Sequence, residues 1–327
     1  MNITQTDEIL IKLLEMDITQ PQEEVADTLG ITVDELEKRL TKILRARWVV
    51  PNVQIEYMAL PIIGLEERLL IYSFISGNIK KLDRIIQQLS SGGYNINLIW
   101  RLFAGRYDIV ARGLSKKSAL DEFFSSIERI PGVFSADFSI CTGRYKYHGL
   151  VMPREERGRI NNLTPLDKPE HYRALIDVLR EDPLKYGVEP YKVTSTRLEQ
   201  RFGLRFTPSD IQEQIKTLME RKVIRRIGLR KTRGYWEVRG FKRRIFVWFF
   251  TQPLVHERVG TLLSLMENVD DVFDVTGNFD VLAAVWTHSF HQWGNQLEHL
   301  LNIEGLSNSE SFMAVEGVLS RSFSLTD

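Results

Sequence analysis

The 327-residue sequence predicts an α+β fold: a tandem repeat in which each copy is a helix-turn-helix module followed by a ferredoxin-like βαββαβ domain. Three observations predict it. A seven-residue pattern occurs twice, as AGRYDIV at Ala104–Val110 and TGNFDVL at Thr276–Leu282, 172 positions apart. Other landmarks recur at similar spacing: Gly30 answers to Gly203 at 173, and Arg68–Phe74 to Arg243–Phe249 at 175. Within each copy, apolar residues at helical spacing give way to short strand-like runs. The expected domains are a first helix-turn-helix at 1–57, a ferredoxin-like domain at 66–152, a second, winged helix-turn-helix at 163–242 and a second ferredoxin-like domain at 243–327. The polar stretch PREERGRINNLT, Pro153–Thr164, lacks periodicity and marks the boundary between copies.

The first copy opens with Ile9, Leu10, Leu13 and Leu14 at helical spacing. A short helix follows near Pro21–Leu29, and Gly30 makes the turn. Thr32 with Glu35 forms a capping box for the next helix, whose inner face is Leu36, Leu40, Ile43 and Leu44. Helix, short helix, glycine turn, capped helix is a helix-turn-helix pattern. The second copy repeats it with Leu175, Ile176 and Leu179, then Leu198 and Phe202, then Gly203. Thr207-Pro208-Ser209-Asp210 starts its third helix, with Ile211, Ile215 and Leu218 inward.

Behind each module the pattern changes to strands. RLLIYSFIS at Arg68–Ser76 is a strand, Ile79–Leu89 a helix, and Ile96–Phe103 and Tyr107–Leu114 two strands joined by a tight hairpin. Ser118–Ile130 is a helix and Val133–Cys141 the last strand. The second copy supplies Arg244–Thr251, Val255–Glu267, Val272–Val275, Asp280–Trp286, Phe290–Leu301 and Ser307–Val315 in the same order.

The zero net charge hides an asymmetry. Residues 163–244 hold 20 basic and 11 acidic side chains, whereas 245–327 hold 2 basic and 11 acidic. Residues 221–244 alone, RKVIRRIGLRKTRGYWEVRGFKRR, carry eleven Lys or Arg and one acid. They read as a β-wing with Arg230, Lys231 and Arg233 at its tip, placed to meet phosphates. The expected DNA-binding residues are Ser209, Gln212 and Lys216 on the third helix and Arg221, Lys222, Arg225, Arg226, Arg230, Lys231 and Arg233 after it. The first module is different, with 10 acids and 6 bases in residues 1–50.

Composition excludes several classes. Cys141 is the single cysteine, so there is no internal disulfide and no multi-thiolate zinc site. No apolar run has the length of a membrane span, and the acidic, amphipathic N-terminus is not a signal peptide, so a cytoplasmic location with no membrane partner is expected. His288, His291 and His299 cluster near one helix with no Cys or carboxylate at ligand spacing beside them except Glu298. There is no phosphate-binding glycine loop and no nucleophile elbow. Neither metal nor cofactor nor enzyme activity is expected.

A helix-turn-helix before a βαββαβ unit with Gly-x-[Tyr/Phe]-Asp at its central hairpin resembles the Lrp/AsnC (feast/famine) transcription regulators, here twice over. The resemblance implies double-stranded DNA as a partner, self-association through the ferredoxin-like sheets, and a small effector such as an amino acid beside the hairpins. The effector residues would be Gly105, Arg106, Tyr107 and Asp108 with Gly277, Asn278, Phe279 and Asp280. The two sheets could pair within one chain or across two. A siroheme-decarboxylase-like enzyme of the same fold, or an interaction protein without DNA binding, are the alternatives. That enzyme branch implies His and Arg in the central sheet, and the matching strands INLIWRLF and VFDVTG hold Arg101 but no His.

Overall fold

The computed structural model describes residues 3–103, 105–154, 157, 160, 163–181, 190–252 and 255–320. In chain order the elements are α1 (Gln5–Met16), α2 (Gln22–Leu29), α3 (Val33–Arg45), β1 (Val49–Ile55), β2 (Arg68–Gly77), α4 (Leu82–Ser91), β3 (Ile96–Phe103), β4 (Ile109–Lys116), α5 (Leu120–Glu128), β5 (Val133–Tyr147) and β6 (Leu150–Val151). They continue as α6 (Pro169–Glu181), α7 (Pro190–Phe202), α8 (Pro208–Glu220), β7 (Ile224–Lys231), α9 (Arg233–Val238), β8 (Arg243–Thr251), α10 (His256–Leu265), β9 (Val269–Thr276), β10 (Val281–Thr287), α11 (Phe290–Leu301) and β11 (Leu306–Ser320). They form two compact units that interleave along the chain: Met1–Glu67 with Ile160–Gly240, and Arg68–Arg159 with Phe241–Asp327.

The first unit contains both helical modules. Thr4 starts α1 with a capping box: its side chain accepts from Asp7 N, and the Asp7 carboxylate accepts from Thr4 N. Gly30 and Gly203 both turn the chain at positive φ, +64° and +68°, where a side chain would be strained. Thr32 caps α3, and Thr207 caps α8 in a full box with Asp210. Leu10, Leu14, Leu36 and Ile43 are buried in the first module, and Leu175, Leu179, Leu198, Ile211 and Leu218 in the second. Ile9 and Phe202, counted above among the apolar residues at helical spacing, are exposed.

The modules are joined by a two-stranded antiparallel sheet in which β1 runs from Val49 opposite Lys231 to Ile55 opposite Ile224. This corrects the expected wing. The basic segment does not fold back on itself; its first part is β7, paired with the first module, and its second part is the short helix α9. Two forces explain the difference. Tyr235 and Trp236 are both 1% exposed, so the segment after Thr232 is drawn into the core. The cations of β7 also meet acids of the first module, as described below.

The second unit contains both βαββαβ sets. Every strand pairing is antiparallel, in the order β2-β4-β3-β11-β8-β10-β9-β5, and β5 pairs again with β2. The eight strands therefore close into a barrel, with β6 attached to the far end of β5. The closing seams are β3–β11 and β5–β9, each joining one half of the chain to the other. The two sheets thus pair within one chain. Helices α4 and α5 cover the outer face of the first sheet through Ile71, Ile75, Ile99, Ile109 and Ala111, and α10 and α11 cover the second through Ile245, Val247, Phe249, Val281 and Val285.

Ile75 pairs with Ile109, and Phe249 with Val281, so Ile75 answers to Phe249 at a spacing of 174 rather than 175. The one-residue slip matters because it exchanges strand faces. In the corrected register Tyr72 and Phe246 form one equivalent inward pair and Phe74 and Trp248 another, the latter with ring centroids 4.7 Å apart.

The Asp7 side chain is fully buried and receives Arg39 at 3.1 Å and Lys42 at 2.9 Å. Burial alone would raise its pKa, but the Lys42, Thr4 and Arg39 hydrogen bonds outweigh that and hold it below the ordinary aspartate value. Its stabilising effect is therefore present above the unfolded value and lost as pH falls through the lower folded one. Asp7→Asn is expected to lower stability by about 2 kcal/mol at neutral pH. Urea denaturation should show that gap shrinking as the solution is acidified.

Candidate functional site

The repeated hairpins lie together at one end of the barrel. The Asp108 Oδ2 accepts from Gly77 N at 2.9 Å, and Asp280 Oδ2 accepts from Thr251 N at 2.7 Å and Thr251 Oγ1 at 3.2 Å. Each aspartate ties its hairpin to the end of the first strand of its half, β2 or β8, the same bond in both halves. Gly105 has φ +113°, and a Cβ there would stand 3.1 Å from the Phe312 ring. A Cβ on Gly277 would come within 2.8 Å of the Phe138 carbonyl oxygen. Tyr107 and Phe279 are buried against Trp248, the latter stacked at 4.3 Å.

The variable residues of the two hairpins reach a common partner. Asn278 Nδ2 donates to Asp137 Oδ1 at 3.0 Å, Arg106 stands 3.9 Å from the other oxygen, and the Tyr107 hydroxyl donates to Asp137. Arg106 also lies 3.6 Å from Glu310 and over the Tyr107 and Trp248 rings. The expected effector residues of both hairpins are therefore brought to one place, where their side chains meet Gly77, Thr251, Asp137, Glu310 and Trp248.

The opposite end of the barrel carries buried charge. Arg112, on β4 and 2% exposed, donates from Nε to Asn97 Oδ1 at 3.0 Å and from Nη1 to the Tyr72 hydroxyl at 3.4 Å. Burial alone would lower its pKa, but the Asp271 carboxylate and the hydrogen bond to the Tyr72 hydroxyl act the other way and the net direction is up, so the guanidinium stays charged. Burial likewise pushes the Tyr72 hydroxyl upward and the Cys141 thiol to about 12, leaving both neutral. On β8, Arg244 Nη2 donates to Asp270 Oδ2 at 3.1 Å and Asp271 Oδ2 at 3.0 Å, with the Trp100 and Trp286 rings 5.5 and 5.8 Å from its guanidinium.

The hairpin between β5 and β6 adds the remaining groups. Lys146 pairs with Val151 and Tyr147 with Leu150, leaving a two-residue turn of His148 at φ +50° and Gly149 at φ +84°. Positive φ at both positions marks a type I′ turn. His148 N donates to Asp271 Oδ1 at 2.8 Å, and its ring Nδ1 lies 3.7 Å from the same oxygen. Gly149 N donates to the Asp270 carbonyl at 2.7 Å. Arg144 lies over Tyr147 at 4.8 Å, and Lys146 Nζ donates to the Met266 carbonyl at 2.7 Å.

Of these described side chains, four bases (Arg112, Arg144, Lys146, Arg244) and two acids (Asp270, Asp271) are all less than one-tenth exposed. Guanidinium and ammonium groups are donors that suit an anion such as a carboxylate. His148, Asp270 and Asp271 also bring potential ligand atoms within 4.8 Å of each other. Arg244 is hydrogen-bonded to both carboxylates and stands where a cation would, so this trio is an ion network. His288, by contrast, stacks on Phe241, while His291 and His299 are exposed.

Sequence reasoning missed this cluster by searching the wrong stretches. Arg101 pairs with Asp83 on α4. Asp270 and Asp271 immediately precede VFDVTG, Arg112 lies on the next strand, and His148 lies beyond the expected end of the last strand. The usable signal was Arg112 and Arg244 on the inward face of otherwise apolar strands.

The expected DNA-binding residues divide in two. Ser209, Gln212 and Lys216 are exposed on α8. The later cations are mostly engaged inside the first unit. Arg221 donates to the Thr164 carbonyl at 2.7 Å and Arg226 to the Glu15 carbonyl at 3.0 Å. Arg225 pairs with Glu56 at 3.3 Å, Lys231 with Glu15 at 2.8 Å and Arg233 with Glu237 at 2.6 Å. Lys222 takes a positive φ of +59° after α8, and Arg230 lies opposite Val50. Arg239 pairs with Glu8 at 3.0 Å. Acids of the first module thus answer much of the basic run.

Residues 244–322 match the family model of the Lrp/AsnC ligand binding domain. No curated protein sequence matches the chain. Among solved structures, the crystal structure of the siroheme decarboxylase NirDL is similar over 98% of this chain and 94% of its own, with TM-score 0.69 and 12% identity. The same enzyme in co-complex with an iron-uroporphyrin III analogue gives TM-score 0.67 and 13% identity, over 97% of this chain and 93% of its own. Escherichia coli AsnC is similar over 48% of this chain and 97% of its own, with TM-score 0.38 and 14% identity. The expectation of a non-enzyme is corrected here: the likeness that spans the whole chain is to an enzyme. Among the described residues, no helix is long and apolar enough to cross a membrane.

Because Asp108 and Asp280 make equivalent bonds, Asp108→Ala and Asp280→Ala are each expected to destabilise the protein by about 2 kcal/mol through an unsatisfied strand end. Chemical denaturation of the two variants checks this, and a loss for only one would show that the hairpins are not mechanically equivalent.

Proposed function

We propose that this chain is a siroheme-decarboxylase-type enzyme that binds a polycarboxylate tetrapyrrole and removes carboxyl groups as carbon dioxide. The observation that carries this reading is the cation excess at the charged end of the barrel. Arg112 and Arg244 offer planar donor forks suited to carboxylates. Trp100, Trp286, Tyr72 and Tyr147 offer flat faces beside them. NirDL, whose fold spans nearly the whole chain, is an enzyme of this class, and its co-complex holds a tetrapyrrole analogue. The halves are read as tandem copies with the four domains given above, the second helix-turn-helix lacking its expected wing, and the site as a joint product: Arg112, Arg144, Lys146 and His148 come from the first half, Arg244, Asp270 and Asp271 from the second.

The chemistry asks three things of the protein. One carboxylate must be held while its bond to carbon breaks. Water must be excluded so that the electrostatics are strong. A proton must then reach the carbon that inherits the electron pair. The buried guanidinium groups and aromatic walls serve the first two requirements.

Titration with iron-uroporphyrin III should perturb its Soret band with one ligand per chain, and mass spectrometry should show loss of carboxyl groups. Arg112→Ala and Arg244→Ala should each weaken binding at least about tenfold. A wild-type chain that leaves the Soret band unchanged would remove this reading.

A second reading concerns α8, whose exposed Ser209, Gln212 and Lys216 follow the Thr207 cap as residues of a DNA-contacting helix would. Duplex DNA should then be shifted at low salt by the wild type, and not after all three are replaced by Ala. No shift by the wild type would discard it.

A further inference from the structure

We propose that Asn97 is a positioning residue for substrate binding, aiming the Arg112 guanidinium at a substrate carboxylate through a neutral acceptor; this rests on the decarboxylase reading above. The first argument is the backbone. On β3, Ile96 pairs with Gly113 and Leu98 with Arg112, so Asn97 is the extra residue of a β-bulge. Ile96 and Ile99 both pack in the core under α4 and α5. Two residues therefore lie between outward positions where a regular strand holds one. A bulge interrupts the ladder and re-aims a side chain, and this one brings Asn97 against Arg112.

The second argument is the bond itself. Asn97 is 5% exposed, and its Oδ1 accepts from Arg112 Nε at 3.0 Å. The Tyr72 hydroxyl accepts from Arg112 Nη1 at 3.4 Å. Anchors on two different nitrogens fix the plane of the guanidinium, and a planar fork in a fixed plane is what a bidentate carboxylate contact requires.

The third argument compares the halves. Strand β9 carries the same bulge: Asp271 pairs with Ala284 and Val269 with Val285, leaving Asp270 as the extra residue. Val269 and Val272 pack in the outer core of the second sheet as Ile96 and Ile99 do in the first. Asn97 thus answers to Asp270 and Leu98 to Asp271. One backbone device presents an amide and an aliphatic group in the first half, and two carboxylates in the second. Those carboxylates hold Arg244 in ion pairs at 3.1 and 3.0 Å. The amide orients Arg112 and adds no negative charge to its side of the site. An aspartate at position 97 would keep the acceptor but set a like charge against the incoming carboxylate.

The test is a Soret titration with iron-uroporphyrin III. Asn97→Asp, which keeps the size and the acceptor, should bind at least about tenfold more weakly than wild type. Asn97→Ala, which removes the acceptor, should bind about fivefold more weakly. With Arg112 already replaced by Ala, adding Asn97→Ala should change affinity by less than about twofold, because Asn97 acts through Arg112. The Ala series decides by itself if chemical denaturation shows that the aspartate is not tolerated. Wild-type affinity in either folded Asn97 variant, or an equal loss from Asn97→Ala with and without Arg112, would overturn the role of Asn97 and leave the decarboxylase reading standing. Absence of tetrapyrrole binding by the wild type would overturn both.

Discussion

Closure of the barrel is the constraint on which the second unit depends. A βαββαβ sheet has two exposed edges, and an unpaired edge presents a row of backbone groups that seek partners. Here β3 of the first half is satisfied by β11 of the second, and β9 of the second by β5 of the first. Closure also makes an interior. Once water is excluded from the space between the sheets, Tyr72, Phe74, Phe246 and Trp248 fill its middle, and the charges of Arg112 and Arg244 act in a medium that screens them weakly.

The interior is not symmetric although its frame is. In the corrected register Arg112 answers to Ala284 and Arg244 to Leu70. Each half contributes a buried arginine from a different strand, so neither could build the charged end alone. At the hairpin end the halves are complementary in another way: Arg106 and Asn278 differ in chemistry and meet the same Asp137. Two halves of the same strand order thus make one composite interior.

Much of the fold was legible because its signals are local. Thr207 and Asp210 form the expected cap, the glycines turn where they should, and the strand–helix order of both halves follows from apolar periodicity. The charged end was not legible because its charged members come from four separate segments, β4, β5 with its turn, β8 and β9, and only tertiary register places Arg112 near Asp271. The basic run at 221–244 misled for a related reason. A positive stretch in a sequence does not show whether its partner is a polyanion or the same chain, and Glu8, Glu15 and Glu56 lie far from it in sequence. In AGRYDIV and TGNFDVL the aspartates tie strand ends, a role that the local motif alone does not show.

The interleaving of the two units has a consequence for how the protein is made. When β5 leaves the ribosome, its partner β9 is still more than a hundred codons from being translated. At ordinary elongation rates, the nascent first half waits roughly ten seconds with its sheet margins unmatched. Two such half-made chains on one message could pair with each other instead, so this architecture favours an early encounter with a chaperone that holds those margins apart until the second half arrives.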